Sequence, residues 1–265
     1  MSTADVSSKS LTELISLTGR RAVVTGGGRG LGKAIASRLA EAGADLLIGD
    51  IDEELAVSAA KQIADSHGVR AIGVAMDVAD AGSVAAAADR AVAELGGLEI
   101  WVNNAGIFPS VPLLEMTDET WDRVFAVNAR GVFLGAREAA RRMASGVIVN
   151  IISTAGFRGS APGLAAYVGS KHAVRGLTRE LALELAPGGI RVLGVAPSFV
   201  PTEGNMMMAA TVMTGDTPPT GLMLDSPIGR VGVPDDIARV VLFCVSDLAT
   251  FMTGSTLLAD GGDTA

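Results

Sequence analysis

Short apolar runs alternate with longer segments of helical periodicity along almost the whole chain. The runs are rich in Val, Ile and Leu, whereas the segments between them repeat apolar residues every three or four positions. The predicted strands are 22–25, 45–49, 71–76, 99–102, 146–152, 191–196 and 256–259, and the predicted helices are 31–42, 53–66, 81–95, 118–144, 164–186 and 234–247. This alternation predicts an α/β fold, a doubly wound parallel sheet of about seven strands with helices on both faces.

The inner runs also predict how the sheet is buried. The run 147–152 (Val-Ile-Val-Asn-Ile-Ile) is almost continuously apolar, as expected for a strand covered on both faces. No repeat or linker divides the chain, so one domain is predicted over 19–265, preceded by an N-terminal extension, 1–18. The stretch 198–228 breaks the alternation and concentrates Met and Pro. It is predicted to be a lid over the substrate, with packing on a neighbouring subunit as the alternative.

Charge and composition narrow the function classes. The 265-residue chain has a formal net charge of −8, which argues against nucleic acid and membrane partners. Because no segment resembles a signal peptide or a membrane span, a cytoplasmic location is expected. Cys244 lies in an apolar run and is expected in the core. Neither His67 nor His172 has a partner at metal-ligand spacing, so no metal site is predicted.

A glycine-rich turn follows the first predicted strand and opens the first predicted helix. Gly26, Gly30 and Gly32 have the spacing G-x-x-x-G-x-G. Glycines let the backbone approach a pyrophosphate, which the amides of a helix N-terminus bind. Asp50 ends the second strand, where a carboxylate accepts the ribose hydroxyls of NAD and repels the 2′-phosphate of NADP. Arg29 is the opposing signal, since it could pair with that phosphate, and capping of the next helix is the structural alternative for Asp50.

Tyr167, the single tyrosine, precedes Lys171 by four residues. On a helix these side chains share one face. We expect the ammonium of Lys171 to lower the phenol's pKa from about 10 and to make it a general acid and base. The alternative is ordinary packing, with the lysine extended past the tyrosine ring to solvent.

Taken together, these motifs resemble the short-chain dehydrogenase/reductase family over about residues 18–263. The resemblance lies in Thr25–Gly32, Asn103-Asn104-Ala105-Gly106, Asn128, Ser153, Tyr167-Val168-Gly169-Ser170-Lys171, 197–202, 229–234 and Asp260-Gly261-Gly262. It implies a single Rossmann-type domain that assembles as a homodimer or homotetramer, with the helices at 118–144 and 164–186 as the pairing surface.

The resemblance also implies the catalytic roles. Tyr167 is expected to be the acid/base on the substrate oxygen, and Lys171 to tune it and to bind the nicotinamide ribose. Ser153 is expected to donate a hydrogen bond to the same oxygen, with Thr154 as the alternative donor. Asn128 is expected to hold a water that links Lys171 to solvent.

The resemblance further implies which residues bind the cofactor, expected to be NAD, with NADP less favoured. Asp77 and Val78 are expected to flank the adenine, and Thr202 to bind the carboxamide. The chain has Pro197-Ser198 where the family has Pro-Gly, and Pro201 precedes Thr202, so the backbone there is expected to differ. The full expected set is Gly26, Arg29, Gly30, Leu31, Gly32, Asp50, Ile51, Asp77, Val78, Asn104, Ala105, Gly106, Tyr167, Lys171, Pro197, Val200 and Thr202.

The expected reaction is reversible hydride transfer between NAD(H) and a neutral, fairly apolar secondary alcohol or its ketone. Phe108, Pro109, Val111, Phe157 and Leu164 could form an apolar pocket wall, and Arg158 is interpreted as a solvated loop charge. The alternatives are an NADPH-dependent 3-oxoacyl thioester reductase and a non-catalytic NAD-binding sensor. A lyase or epimerase is disfavoured because the sequence leaves no room for a further substrate domain.

Overall fold

A computed structural model describes residues 5–203 and 226–265, and its centre is a seven-stranded parallel sheet. The strand order is β3-β2-β1-β4-β5-β6-β7, so the chain winds outwards in both directions from β1 and β4. This confirms the predicted α/β fold. The strands are β1 Arg21–Thr25, β2 Asp45–Asp50, β3 Ala71–Ala75, β4 Ile100–Asn103, β5 Gly146–Ile151, β6 Ile190–Pro197 and β7 Thr256–Ala259.

Helices cover both faces of the sheet. In chain order they are α1 Leu11–Ile15, α2 Gly30–Glu41, α3 Glu53–His67, α4 Ala81–Leu95, α5 Asp118–Phe125, α6 Gly131–Arg142, α7 Ala165–Leu185 and α8 Pro234–Val245. Asp52 caps the N-terminus of α3 by accepting from the Leu55 amide at 3.1 Å. The alternative that Asp50 is that cap is therefore wrong.

Alternating side chains of each strand enter two separate cores. Val24 of β1 faces a core shared with α2, α3 and α8, whereas the adjacent Val23 faces a core shared with α4 and α6. Val149 and Ile148 of β5 divide in the same way, and all four side chains are fully buried. The period of two explains why these strands read as continuous apolar runs. Cys244 is buried in the first core, as expected.

The predicted helix 118–144 is the main departure from the sequence pattern. A π-helical turn, Ala126–Arg130, separates α5 from α6. Such a turn contains one extra residue per hydrogen-bonded ring and redirects the side chains on it. Here it places the fully buried side chain of Asn128 on the inner side of the helix. Apolar periodicity alone does not reveal such an insertion, because the flanking turns remain helical.

Three further boundaries bear on the predictions. Leu17 lies in the segment predicted as an extension, but its side chain is fully buried and its amide bonds the Ala42 carbonyl at 2.7 Å. Core packing therefore begins before residue 19. Most of the predicted lid, residues 204–225, lies outside the described residues. Within the described part of the chain, no helix is long and apolar enough to cross a bilayer.

Candidate functional site

The glycine-rich turn lies where the sheet changes its winding direction, at the carboxyl end of β1. Gly26 and Gly30 adopt φ values of 61° and 54°, a region that side chains with a Cβ rarely occupy. At Gly32 an added Cβ would overlap the Gly26 carbonyl group and would lie 2.5 Å from Asn104 Nδ2. The backbone of the turn therefore lies so close to its neighbours that only glycine, which has no Cβ, fits at this position.

The turn presents a free helix N-terminus. Arg29 is the N-cap of α2, and its side chain makes no capping hydrogen bond. The first amides of a helix have no partner within it and attract anions. The site therefore has the donors that a pyrophosphate requires.

Asp50 lies directly beside the turn. Its Oδ2 accepts from the Gly28 amide at 2.9 Å, and its Oδ1 accepts from the Asp52 amide at 3.2 Å. A Cβ added at Gly28 would lie 2.9 Å from the same Oδ2. The neighbouring Ile51 is 68% exposed. The structure thus brings the predicted carboxylate and an apolar surface to one edge of the turn.

The end of β4 is tied to the end of β1 through Thr25. Thr25 Oγ1 accepts from the amides of Asn104 and Ala105, both at 3.0 Å. Asn104 Nδ2 donates to the carbonyls of Thr25 at 2.9 Å and Gly26 at 3.0 Å. Asn104 and Ala105 therefore fix the turn, and their expected place in the wall of the cofactor cleft remains a prediction.

Asp77, Val78 and Thr202 follow the carboxyl ends of β3 and β6, at the same edge of the sheet as the turn. A Cβ added at Gly30 would lie 3.2 Å from Thr202 Cβ, so the altered loop after Pro197 still brings Thr202 to the turn. Val78, 8% exposed, packs against Gly131. The Asp77 amide donates to Ser83 Oγ at 3.0 Å.

Tyr167 and Lys171 share one face of α7, as their spacing predicts. Lys171 Nζ lies 5.7 Å from the centre of the tyrosine ring and donates to the Ile151 carbonyl at 2.8 Å. Lys171 is only 4% exposed, and burial lowers its pKa to about 8. The edge of Phe108 meets the Tyr167 ring, with centroids 5.8 Å apart. The pair is thus enclosed, and the lysine does not extend to solvent.

The direction of the Tyr167 pKa differs from the expectation. Burial raises the pKa of the phenol above its ordinary 10.0, and a hydrogen bond with Ser153 opposes that rise. Loss of solvation disfavours a phenolate, and in the structure it outweighs the stabilising contacts. The expected lowering by Lys171 is not found.

The Ser153 side chain, and not that of Thr154, is the hydroxyl hydrogen-bonded to Tyr167. Ser153 Oγ also accepts from the Ala155 amide at 3.1 Å, which fixes it at the start of a 3₁₀ turn, Thr154–Gly156. Thr154 is 8% exposed, and its carbonyl accepts from the Phe157 amide at 2.9 Å. Ser153 thus lies two residues beyond the end of β5, where its hydroxyl faces the phenol.

Asn128 supports the opposite wall of the cleft. Its Oδ1 accepts from the Ile107 amide and its Nδ2 donates to the Ile107 carbonyl, both at 2.8 Å. Nδ2 also donates to Ser170 Oγ at 3.0 Å. A Cβ added at Gly106 would lie 3.3 Å from Asn128 Oδ1 and 3.7 Å from Lys171 Nζ. The Asn128 side chain thus borders the lysine, while its hydrogen bonds hold the main chain. The expected water-holding role remains a prediction.

A series of hydrogen-bonded, buried polar side chains lies beneath the site, and the sequence pattern was not used to predict it. Trp101 Nε1 donates to Asn103 Oδ1 at 2.8 Å, and Asn103 Nδ2 donates to Asn150 Oδ1 at 2.9 Å. Asn150 Nδ2 then donates to Thr178 Oγ1 on α7 at 3.0 Å. The sequence did contain an indication of this network, because Asn150 is a polar residue within an otherwise apolar strand. The chain of bonds fixes α7, and hence Tyr167 and Lys171, relative to β4 and β5.

Arg158, interpreted from sequence as a solvated loop charge, is exposed to solvent but also has a charged partner. It forms an ion pair with Asp263 at 2.6 Å, and the Asp263 side chain is 7% exposed. Among the described residues, no cluster of three or more His, Cys, Asp or Glu side chains could hold a metal ion. Three features together fit a dinucleotide: the uncapped N-terminus of α2, the absence of a side chain at Gly106 and the carboxylate of Asp50.

Comparisons with known proteins agree with this geometry. A family model described as Enoyl-(Acyl carrier protein) reductase matches residues 26–264. The chain is 42% identical over 247 residues to 4-formylbenzenesulfonate dehydrogenase of Comamonas testosteroni, a match that covers 91% of this chain and 96% of that protein. It is 39% identical to cyclopentanol dehydrogenase of Comamonas sp., with coverages of 92% and 96%.

Two further relatives extend the comparison. The 3-oxoacyl-[acyl-carrier-protein] reductase of Aquifex aeolicus is 37% identical, with coverages of 94% of this chain and 98% of that protein. The crystal structure of a short-chain type dehydrogenase/reductase from Mycobacterium marinum has a TM-score of 0.87 and 34% identity, with coverages of 97% and 100%.

Proposed function

Because this chain belongs to the short-chain dehydrogenase/reductase family, we propose that it is an NAD(H)-dependent oxidoreductase that interconverts a neutral, fairly apolar secondary alcohol and its ketone. One observation carries the proposal. A part-buried phenol, a serine hydroxyl and a buried amine meet at the carboxyl end of β5, on the same sheet edge as the glycine-rich turn. This is a general acid/base centre beside a dinucleotide cleft.

The protein's own groups handle the proton. Bound NAD would supply the hydride chemistry. Tyr167 gives a proton to the ketone oxygen in reduction and takes it from the alcohol in oxidation, while Ser153 donates a hydrogen bond to the same oxygen. Because burial raises the pKa of Tyr167, the phenol is protonated at neutral pH. Reduction therefore needs no prior ionisation, whereas the rate of alcohol oxidation should rise with pH.

The preference for NAD rests on Asp50. Its carboxylate borders the turn through the Gly28 amide, where it would repel a 2′-phosphate, whereas the Arg29 side chain is exposed. Asp50→Asn should improve use of NADP relative to NAD by roughly 10-fold or more, the size expected when one close charge repulsion is removed. Asp52→Asn is the matched control, because asparagine caps a helix as well as aspartate does. An unchanged cofactor ratio in Asp50→Asn would contradict the assignment.

The substrate class follows from the surroundings of Tyr167. Phe108 packs against the phenol ring, and Phe157 lies against the Arg175 guanidinium at 3.8 Å. Arg158, the cation considered for an anionic substrate, is engaged by Asp263. The similarity to a cyclopentanol dehydrogenase also favours a neutral alcohol. The similarity to a 3-oxoacyl-[acyl-carrier-protein] reductase keeps an NADPH-dependent thioester reductase as the second candidate.

We further propose that the protein acts in the cytoplasm as a homo-oligomer, a tetramer or a dimer. Apolar side chains remain exposed on α5 and α6, where Trp121 is 40% and Phe133 is 41% accessible. Phe133, with Phe125 on α5 and Leu177 on α7, borders a groove that a second copy could fill. Sedimentation of a monomer at micromolar concentration would contradict this assignment.

The deciding experiment is a panel of cyclic and acyclic secondary alcohols, aldehydes and a 3-oxoacyl thioester, assayed with NAD(H) and NADP(H) in parallel. Neutral alcohols with NAD should give the highest kcat/KM. Tyr167→Phe should lose nearly all turnover, by roughly 10²-fold or more, and should still bind NAD in calorimetry. Turnover at the wild-type rate in Tyr167→Phe would refute the acid/base assignment. Cofactor binding without turnover of any substrate would point to a sensor.

A further inference from the structure

The segment after β7 forms a turn that is held by its own hydrogen bonds. The Asp260 carboxylate accepts from the amides of Gly262 and Thr264, both at 3.0 Å, and from Thr264 Oγ1 at 2.6 Å. The Gly261 carbonyl accepts from the Ile228 amide at 3.1 Å. These bonds hold residues 260–264 in one conformation, so that a side chain on this turn is a fixed point.

Asp263 extends from that turn and pairs with Arg158. The ion pair measures 2.6 Å, and the Asp263 side chain is only 7% exposed, while that of Arg158 is 43% exposed. The second carboxylate oxygen, Asp263 Oδ2, is buried and makes no hydrogen bond within the described residues. A buried carboxylate with so few partners depends strongly on its cation. Removal of Arg158 should therefore cost more than removal of one partner of a fully exposed ion pair.

A short, tightly bonded path connects Arg158 to Ser153. The Thr154 carbonyl accepts from the amides of Phe157 at 2.9 Å and Arg158 at 3.3 Å, and the Ser153 carbonyl accepts from the Gly156 amide at 2.9 Å. These bonds make residues 153–158 a single compact turn. A displacement of Arg158 should therefore also displace the backbone of Ser153.

We propose that Arg158 and Asp263 are a positioning pair, which anchors the Ser153 turn to the turn after β7 and so holds the serine hydroxyl against the Tyr167 phenol. This inference rests on the proposed function, in which Ser153 and Tyr167 act on one substrate oxygen. Neither member of the pair touches the reacting atoms. Their effect is on the geometry of a hydrogen bond that tunes the phenol.

The chain offers a direct spectroscopic test, because Tyr167 is its single tyrosine. The near-ultraviolet phenolate band, followed during a pH titration, reports this residue alone and needs no substrate. The variants are Arg158→Gln, Asp263→Asn, the conservative Arg158→Lys and, as the reference for a lost hydroxyl, Ser153→Ala. Lys171, whose amine lies 5.7 Å from the centre of the ring, is unchanged in all of them.

Arg158→Gln should raise the pKa of Tyr167 by about 0.5–1 unit, the size of one lost hydrogen bond. Ser153→Ala should raise it by the same amount. Asp263→Asn, which keeps the shape and removes the buried charge, should shift it in the same direction and remain folded. Arg158→Lys should restore most of the wild-type value. With the best substrate, Arg158→Gln should lower kcat roughly 3- to 10-fold and leave the NAD dissociation constant unchanged.

Arg90→Gln is the matched control, because Arg90 is 47% exposed and pairs with Glu94 on α4; it should change nothing. A Tyr167 pKa that moves in Ser153→Ala but stays at the wild-type value in both Arg158→Gln and Asp263→Asn would overturn the positioning role. Failure of the proposed function would look different: Tyr167→Phe would keep its turnover, or Ser153→Ala would leave the titration unmoved.

Discussion

Replacement of Gly32 by alanine tests how closely the glycine-rich turn is packed. The added Cβ would lie 2.5 Å from Asn104 Nδ2 and 2.8 Å from the carbonyl carbon of Gly26, whereas carbon atoms in contact prefer about 3.5–4.0 Å. The backbone must therefore move by roughly 1 Å. The movement would also strain the hydrogen bond from Asn104 to the Gly26 carbonyl, now 3.0 Å. Overpacking of this kind costs about 1–3 kcal/mol.

Gly176→Ala is the matched control, since Gly176 also lies within a helix and nothing lies within 4 Å of its added Cβ. That change should stabilise the fold by about 0.5–1 kcal/mol. Urea unfolding should then separate the two variants by about 1.5–4 kcal/mol. Calorimetric titration should show NAD bound at least about 10-fold more weakly by Gly32→Ala. A Gly32→Ala midpoint equal to that of wild type would refute the packing argument.

The remaining predictions concern stability. Asn128→Ala should lower the free energy of unfolding by about 2–4 kcal/mol, because it leaves the part-buried Ile107 peptide groups without two hydrogen bonds from a buried side chain; a loss below about 1 kcal/mol in urea unfolding would contradict this. A hydrogen bond from Arg230 lowers the pKa of Asp236 to about 2, below its unfolded value, so its stabilisation is present above about pH 4 and is lost as the pH falls towards 2. After allowance for solvent screening this amounts to about 1–2 kcal/mol. Between pH 6 and pH 2 the wild-type protein should therefore lose about 1–2 kcal/mol more unfolding free energy than Asp236→Asn does. Equal losses in the two proteins would contradict the ion-pair argument.

The sequence by itself determined the fold, the close glycine turn and the shared helical face of Tyr167 and Lys171. Apolar side chains with a period of two mark strands buried on both faces, and Val23 and Val24 enter opposite cores as that period requires. The spacing of the glycines after β1 required a close turn, and the four-residue interval between Tyr167 and Lys171 placed them on one helical face. These are local properties, because a backbone repeat fixes which neighbouring residues point the same way.

The tertiary structure decided the energetics of the site. It buried Tyr167 so that its pKa rises, although the neighbouring lysine alone predicts a fall. It inserted a π-helical turn that carries Asn128 inward, and it linked Asn150 to α7 and Arg158 to Asp263. Each of these effects depends on groups far apart in the chain. The free energy of a charge or a hydrogen bond is set by the solvent and partners that folding brings around it, and local spacing does not contain that information.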